Sequence, residues 1–277
     1  MPIADVAAKT TLWIVAMAAG MAGMDAAAQA PPVDGVSVFA AGSLRAALGD
    51  AARDFEAAHP GVTLRFTYGA SGLLKDRLMA GERADVFASA NMDHPEELHR
   101  AGKAGPVQRF ARNAMCALVR AGLDVTSANL VERMLDPAIR VGTSTPVADP
   151  SGDYAWQLFE RVERSGVPDA SRRLAAKALQ LTGGPASPPP PAGRNVYASL
   201  VAGGSADIFI TYCTNAASAV REEPALRTVN MPDAIDVGAS YGIASLAGES
   251  TGARAFVEFL LGQQGQRILA GHGFAPR

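Results

Sequence analysis

Short apolar runs alternate along this chain with longer stretches in which apolar residues recur every three or four positions. VSVFAA (36–41) reads as a buried strand, and LRAALGDAARDFEAAHPG (44–61) as an amphipathic helix stopped by Pro60 and Gly61. VTLRFTYG (62–69) predicts a second strand and SGLLKDRLMAGE (71–82) a helix ended by Gly81. ADVFASA (84–90) predicts a third strand, and PEELHRAG (95–102) a helix with Pro95 in its first turn. The order resumes at RVGTSTP (140–146), runs through the helix DYAWQLFERVERSG (153–166) and closes on the strand ADIFITYC (206–213). Strands separated by helices in this way predict an α/β fold of mainly parallel sheets covered on both faces.

The chain also echoes itself. LMAGERADVF (78–87) and LVAGGSADIF (200–209) match at Leu, Ala, Gly, Ala, Asp and Phe, each reading as a helix end, a glycine stop and a buried strand. Two similar halves are therefore expected. Two segments, around RFARNAMCALVRAG (109–122) and VGASYGIASLAG (237–248), read as passages between them. The division this predicts is 33–113 with 238–277 in lobe I and 114–237 in lobe II, with TGARAFVEFLLGQQGQRILAGHGF (251–274) as one last helix returning to lobe I. Two crossings make a hinge suited to closing over a ligand. The run GGPASPPPPAG (183–193) reads as a stiff, extended surface loop rather than as a ligand for a proline-recognition domain.

The first thirty of the 277 residues stand outside this pattern. A leader with Lys9, the apolar stretch TLWIVAMAAGMAGM and the small residues DAAAQA read as a signal peptide, residues 1–28, cleaved after Ala28 because Pro31 disfavours cleavage after Ala30. Export to the periplasm follows as an expectation. The leader holds Asp5, Asp25 and Lys9; without them, 25 acidic and 24 basic residues remain. That balance, with no basic run, argues against nucleic acid as a partner. Cys116 and Cys213 sit in apolar runs with no metal-binding spacing, so they read as a disulfide between neighbouring strands or as two inert buried thiols.

Enzyme chemistry finds little to stand on. In GASGL (69–73) the glycine follows Ser71 directly, whereas a nucleophile elbow needs one residue between them. His59, His94, His99 and His272 have neither metal spacing nor a placed partner. Asp149 and Asp153 lie near a turn, where such a pair is expected to face solvent. What remains is a set of hydroxyl residues at strand ends: Ser43, Ser71, Ser151 in DPSGDYA, and Tyr212. Each serine can be a helix cap. Their recurrence in both halves points to a shared site at the carboxyl ends of the strands, where α/β sheets bind ligands. Neutral donors without an obligatory carboxylate suit a fully deprotonated dianion such as sulfate, molybdate or tungstate.

At these residues the sequence resembles the periplasmic molybdate-binding proteins of ABC importers. The motifs FAAGSL, YGASGLL, GERADVFASAN, DPSGDYA, RNVYASLVAGGSADIFITYCTNA and FVEFLLGQQGQRIL occur in order over nearly the whole chain beyond the leader. The resemblance implies a two-lobed type II periplasmic binding fold with the oxyanion in the cleft between lobes. It maps the donors on the hydroxyls of Ser43, Ser71 and Tyr212 and on the amides of Ser151 and Val196. It further implies a non-enzymatic protein, monomeric and without a resident cofactor. Such a protein captures molybdate, and also tungstate, through protein donors with no direct ligation of the metal, and passes it to a membrane permease and ATPase. Two alternatives are the same fold binding sulfate or another small anion, and a serine hydrolase using Ser71.

Overall fold

β1 (Asp34–Ala41) pairs in parallel with β2 (Val62–Gly69) along its whole length and with β3 (Val86–Ser89) on its other side. These strands belong to a computed structural model that describes residues 34–189, 193–246, 248 and 250–277. The expected leader, its cleavage site and residues 190–192 of the proline-rich loop lie outside the described residues. Between the strands run α1 (Arg45–Ala58) and α2 (Ser71–Met79), followed after β3 by α3 (Asp93–Arg100). α1 buries Ala47, Leu48, Ala51 and Phe55, the stripe its sequence spacing predicts.

After β4 (Gln108–Asn113) the chain enters a second sheet at β5 (Met115–Val119). There α4 (Leu130–Leu135), β6 (Val141–Ser144), α5 (Pro150–Arg164), α6 (Ala170–Lys177) and β7 (Leu179–Thr182) follow in turn. α7 (Val196–Ala202), β8 (Ile208–Tyr212), α8 (Cys213–Glu222) and β9 (Arg227–Asn230) complete it. The chain then returns to the first sheet with β10 (Ala239–Ser245), α9 (Thr251–Leu261) and α10 (Gln263–Gly271).

The sheets share one topology. The first is ordered β2-β1-β3-β10-β4 and the second β7-β6-β8-β5-β9, each with three parallel strands and then an antiparallel fourth. β3 and β8 occupy equivalent central places and are buried at every residue, which is why both read as unbroken apolar runs. The echoed aspartates do the same work in each. Asp85 Oδ2 accepts the Ser37 N–H at 2.7 Å while its own N–H donates to the Ser37 carbonyl. Asp207 does this to Arg140 at 2.9 Å. A short acceptor at the head of the central strand thus holds the start of its parallel neighbour.

The last helix is two. Gly262 takes an extended conformation (φ −78°, ψ 171°) and breaks it, and at Gly265 a Cβ would stand 2.4 Å from the Phe259 carbonyl, so only glycine allows α10 to fold back on α9. Phe256 and Phe259 of α9 pack their rings on Phe55, joining the end of the chain to α1.

Candidate functional site

A cavity of about 870 Å³ opens where the carboxyl ends of strands from both sheets converge. Ser43 reaches it from a 3-10 turn at Gly42–Leu44 directly after β1, and Ser71 from the first position of α2. From the other sheet come Val196, first residue of α7, and Tyr212, last residue of β8. Four of the five residues expected to donate therefore line one cavity.

Ala90 links two of them. Its N–H donates to Ser71 Oγ at 3.1 Å, and its carbonyl accepts from the Tyr212 hydroxyl at 3.5 Å. Burial holds the Tyr212 phenol well above its ordinary range, so it stays protonated and can donate at neutral pH. Ser43 Oγ lies 3.0 Å from the Tyr241 hydroxyl, which also receives the Asn113 side-chain amide at 3.4 Å. At α7, Asn195 caps by accepting the Ala198 N–H, and Val196 is the first residue of the helix.

Ser151 stands differently. It is fully buried behind the cavity wall, and its N–H donates to Asp149 Oδ1 at 3.0 Å. The expectation that the pair faces solvent is corrected for Asp149, whereas Asp153 is half-exposed. Asp149 is the N-cap of α5 and lines the cavity, while Asp153 Oδ1 accepts the Val147 N–H at 2.7 Å. Pro150 at the first helical position, directly after an aspartate, is the sequence signal of that cap. Burial pushes the Asp149 carboxyl up to about 6, against the lowering effect of the Ser151 N–H and the Ser144 hydroxyl.

Other lining groups are invisible to local sequence spacing. Thr214 and Asn215 enter from the first turn of α8, and His272 and Phe274 from the end of the chain. His272 Nε2 is held 2.8 Å from Asp50 Oδ2. Arg45, Arg194 and Arg221 stand in the same wall; Arg194 is paired with Glu222 and Glu223, and the Arg45 guanidinium lies 4.3 Å over the Tyr68 ring. Behind Tyr212, Cys116 of β5 and Cys213 of α8 form a disulfide. Cys213 opens a helix rather than ending a strand, so the bridge ties a strand to a helix.

The hydrolase alternative fails on geometry. Ser71 Oγ is the acceptor for Ala90, is 1 % exposed as a residue, and has no histidine bonded to it among the described residues. Nor does any group of three or more His, Cys, Asp or Glu among those residues form a metal site.

A family profile described as bacterial extracellular solute-binding protein matches residues 36–275. The uncharacterized protein PM1146 of Pasteurella multocida is 34 % identical over 210 residues, covering 76 % of this chain and 86 % of its own. The molybdate-binding protein ModA of Mycobacterium bovis is 28 % identical over 265 residues, 90 % of this chain and 89 % of its own. Among solved structures, the sulfate-binding protein SubI from Mycobacterium tuberculosis superposes with a TM-score of 0.74 at 22 % identity, over 88 % of this chain and 87 % of that one. The architecture is that of type II periplasmic binding proteins.

Proposed function

The chain belongs to the bacterial extracellular solute-binding proteins, and from that premise we propose that it captures molybdate, and tungstate with it, in the periplasm and delivers the anion to an ABC importer. The observation that carries this reading is the convergence of Ser43 and Ser71 from one sheet with Val196 and Tyr212 from the other on a single cavity. Hydroxyls and helix N-terminal amides held in a recessed site are oriented dipoles, and a fully deprotonated oxyanion needs donors alone. The two sheets act as lobes, 33–113 with 238–277 and 114–237. Closure about the passages at Ala114 and 231–238 buries the anion and forms the surface the permease meets. The likeness to a molybdate-binding relative supports the choice of anion.

The cavity volume favours a second reading within the same class. At about 870 Å³ it has room on the order of thirty waters, more than one tetrahedral oxyanion fills, and arginines stand in its wall. Another small anion, sulfate or an organic one, fits that space. Calorimetric titration of the chain lacking residues 1–28 with molybdate, tungstate, sulfate and phosphate separates the readings. Heat with the first two supports molybdate capture, heat with sulfate or phosphate alone supports the second reading, and silence from all four rejects capture of an inorganic oxyanion.

A further inference from the structure

The N-terminus of α5 already holds an anion belonging to the protein. Asp149 Oδ1 takes the Ser151 N–H, the amide that the family resemblance maps as a donor to the oxyanion. Gly183, which lines the same cavity, packs closely on the carboxylate, since a Cβ there would stand 2.5 Å from Asp149 Oδ2. The fully buried Ser144 hydroxyl faces the carboxylate and favours its ionised form, while the buried Ser151 hydroxyl has no hydrogen-bond partner among the described residues. Two donors, the Ser151 amide and the Ser144 hydroxyl, thus favour the ionised carboxylate against its burial.

Among the described residues no cationic side chain bonds this group. Asp153, on the same helix, adds negative charge; Tyr197 from α7 and Tyr212 from β8 face it as neutral phenols. The cavity's Arg45, Arg194, Arg221 and His272 make no hydrogen bond to it. An incoming dianion at the Ser43, Ser71 and Tyr212 hydroxyls therefore meets an uncompensated carboxylate in the same wall.

We propose that Asp149 selects the captured anion by its proton: a fully deprotonated oxyanion is held only as the Asp149 carboxylate takes up one proton from water, whereas an oxyanion that still carries a proton donates it to the ionised carboxylate. The inference rests on the oxyanion-capture reading. Burial places the switch near neutral pH, where the carboxylate is ionised in the empty protein and within reach of protonation in the complex. Neutral Asp149 then donates a hydrogen bond where the charged form repels.

The test is titration with molybdate and with sulfate, both fully ionised from pH 6 to 8, in paired buffers of different ionisation enthalpy. Uptake of close to one proton per anion at pH 7.5, with affinity falling about tenfold from pH 7 to 8, is the expected result. Asp149→Asn keeps an acceptor for the Ser151 N–H. It should abolish the uptake, flatten the pH profile and raise affinity at pH 7.5 about thirtyfold. Binding without proton uptake, with a flat profile in the parent protein, overturns the inference and leaves oxyanion capture standing. Absence of heat with any oxyanion overturns capture itself, and this inference falls with it.

Discussion

Gly72 donates its amide hydrogen to the carbonyl of Ala148 at 2.9 Å, a bond that joins the first turn of α2 to the loop before α5. It is a contact between the two sheets' halves, beside the cavity-lining Ser71 and Asp149 in sequence. The approach is so close that a Cβ on Gly72 would stand 2.3 Å from the Val147 carbonyl and 2.6 Å from that of Ala148. Val147 itself is held at φ 68°, costly for a β-branched residue.

Gly72→Ala should therefore favour separation of the halves while leaving each half folded. Affinity for the captured anion should fall about tenfold, because the binding-competent closed form becomes less populated. Small-angle scattering with saturating ligand should show a more extended molecule than the parent. Unchanged affinity would mean that this contact plays no part in closure.

Ser43→Ala and Ser71→Ala should each weaken oxyanion binding by roughly 1 to 3 kcal/mol, the cost of leaving a charged group short of a donor. The two differ in what else they disturb. Ser71→Ala also strips the Ala90 N–H of its acceptor and should lower thermal stability, whereas Ser43→Ala frees the Tyr241 hydroxyl, which keeps Asn113. Paired calorimetry and thermal melts on both variants measure this. Parent-like affinity in both would place the anion elsewhere.

The disulfide closes a sequence separation of 97 residues. In the chain-entropy picture a loop of that size stabilises the fold by about 4 to 5 kcal/mol, with measured losses from removing native bridges of about 2 to 5. The double variant Cys116→Ser, Cys213→Ser should lower the urea midpoint by the corresponding amount, and reductant should shift the parent but not the variant.

Asp207 gives a pH-dependent contribution. Its side chain is 6 % exposed and accepts from Arg120, from the Arg140 guanidinium and from the Arg140 amide. Arg140 beside it, more than any other group, holds the carboxyl far below its ordinary range. A carboxyl lowered by folding stabilises above its unfolded value, near 3.9, and that contribution is lost as pH falls through the folded value. Asp207→Asn should cost about 2 kcal/mol at pH 7, with the difference from the parent shrinking as pH falls from 5 to 2. Denaturant titrations at several pH values read it directly.

Much of this architecture is legible in the sequence because its central strands are buried on both faces. β3 and β8 show as apolar runs, and Asp85 and Asp207 repeat because two copies of one topology need the same acceptor at the same place. Ser43, Ser71 and Tyr212 are legible as hydroxyls at the ends of β1, β2 and β8. The break at Gly262 is hidden, since α9 and α10 share one amphipathic spacing and their fold-back depends on contacts of Gly265 with the preceding helix. Tyr241, 198 positions from Ser43, and His272 reach the site through tertiary packing that no local pattern encodes. Asp149 was within reach: aspartate followed by proline at a helix start marks a cap, and a cap at a cavity does not face solvent.

The place of β10 between β3 and β4 sets an order of events in the life of the chain. The second sheet, β5 to β9, is one continuous stretch and can assemble as soon as it has emerged. The first sheet cannot: until Ala239–Ser245 is synthesised, β3 has an open edge and β4 has no neighbour. The amino-terminal segment must therefore wait, unfinished, for nearly the whole polypeptide.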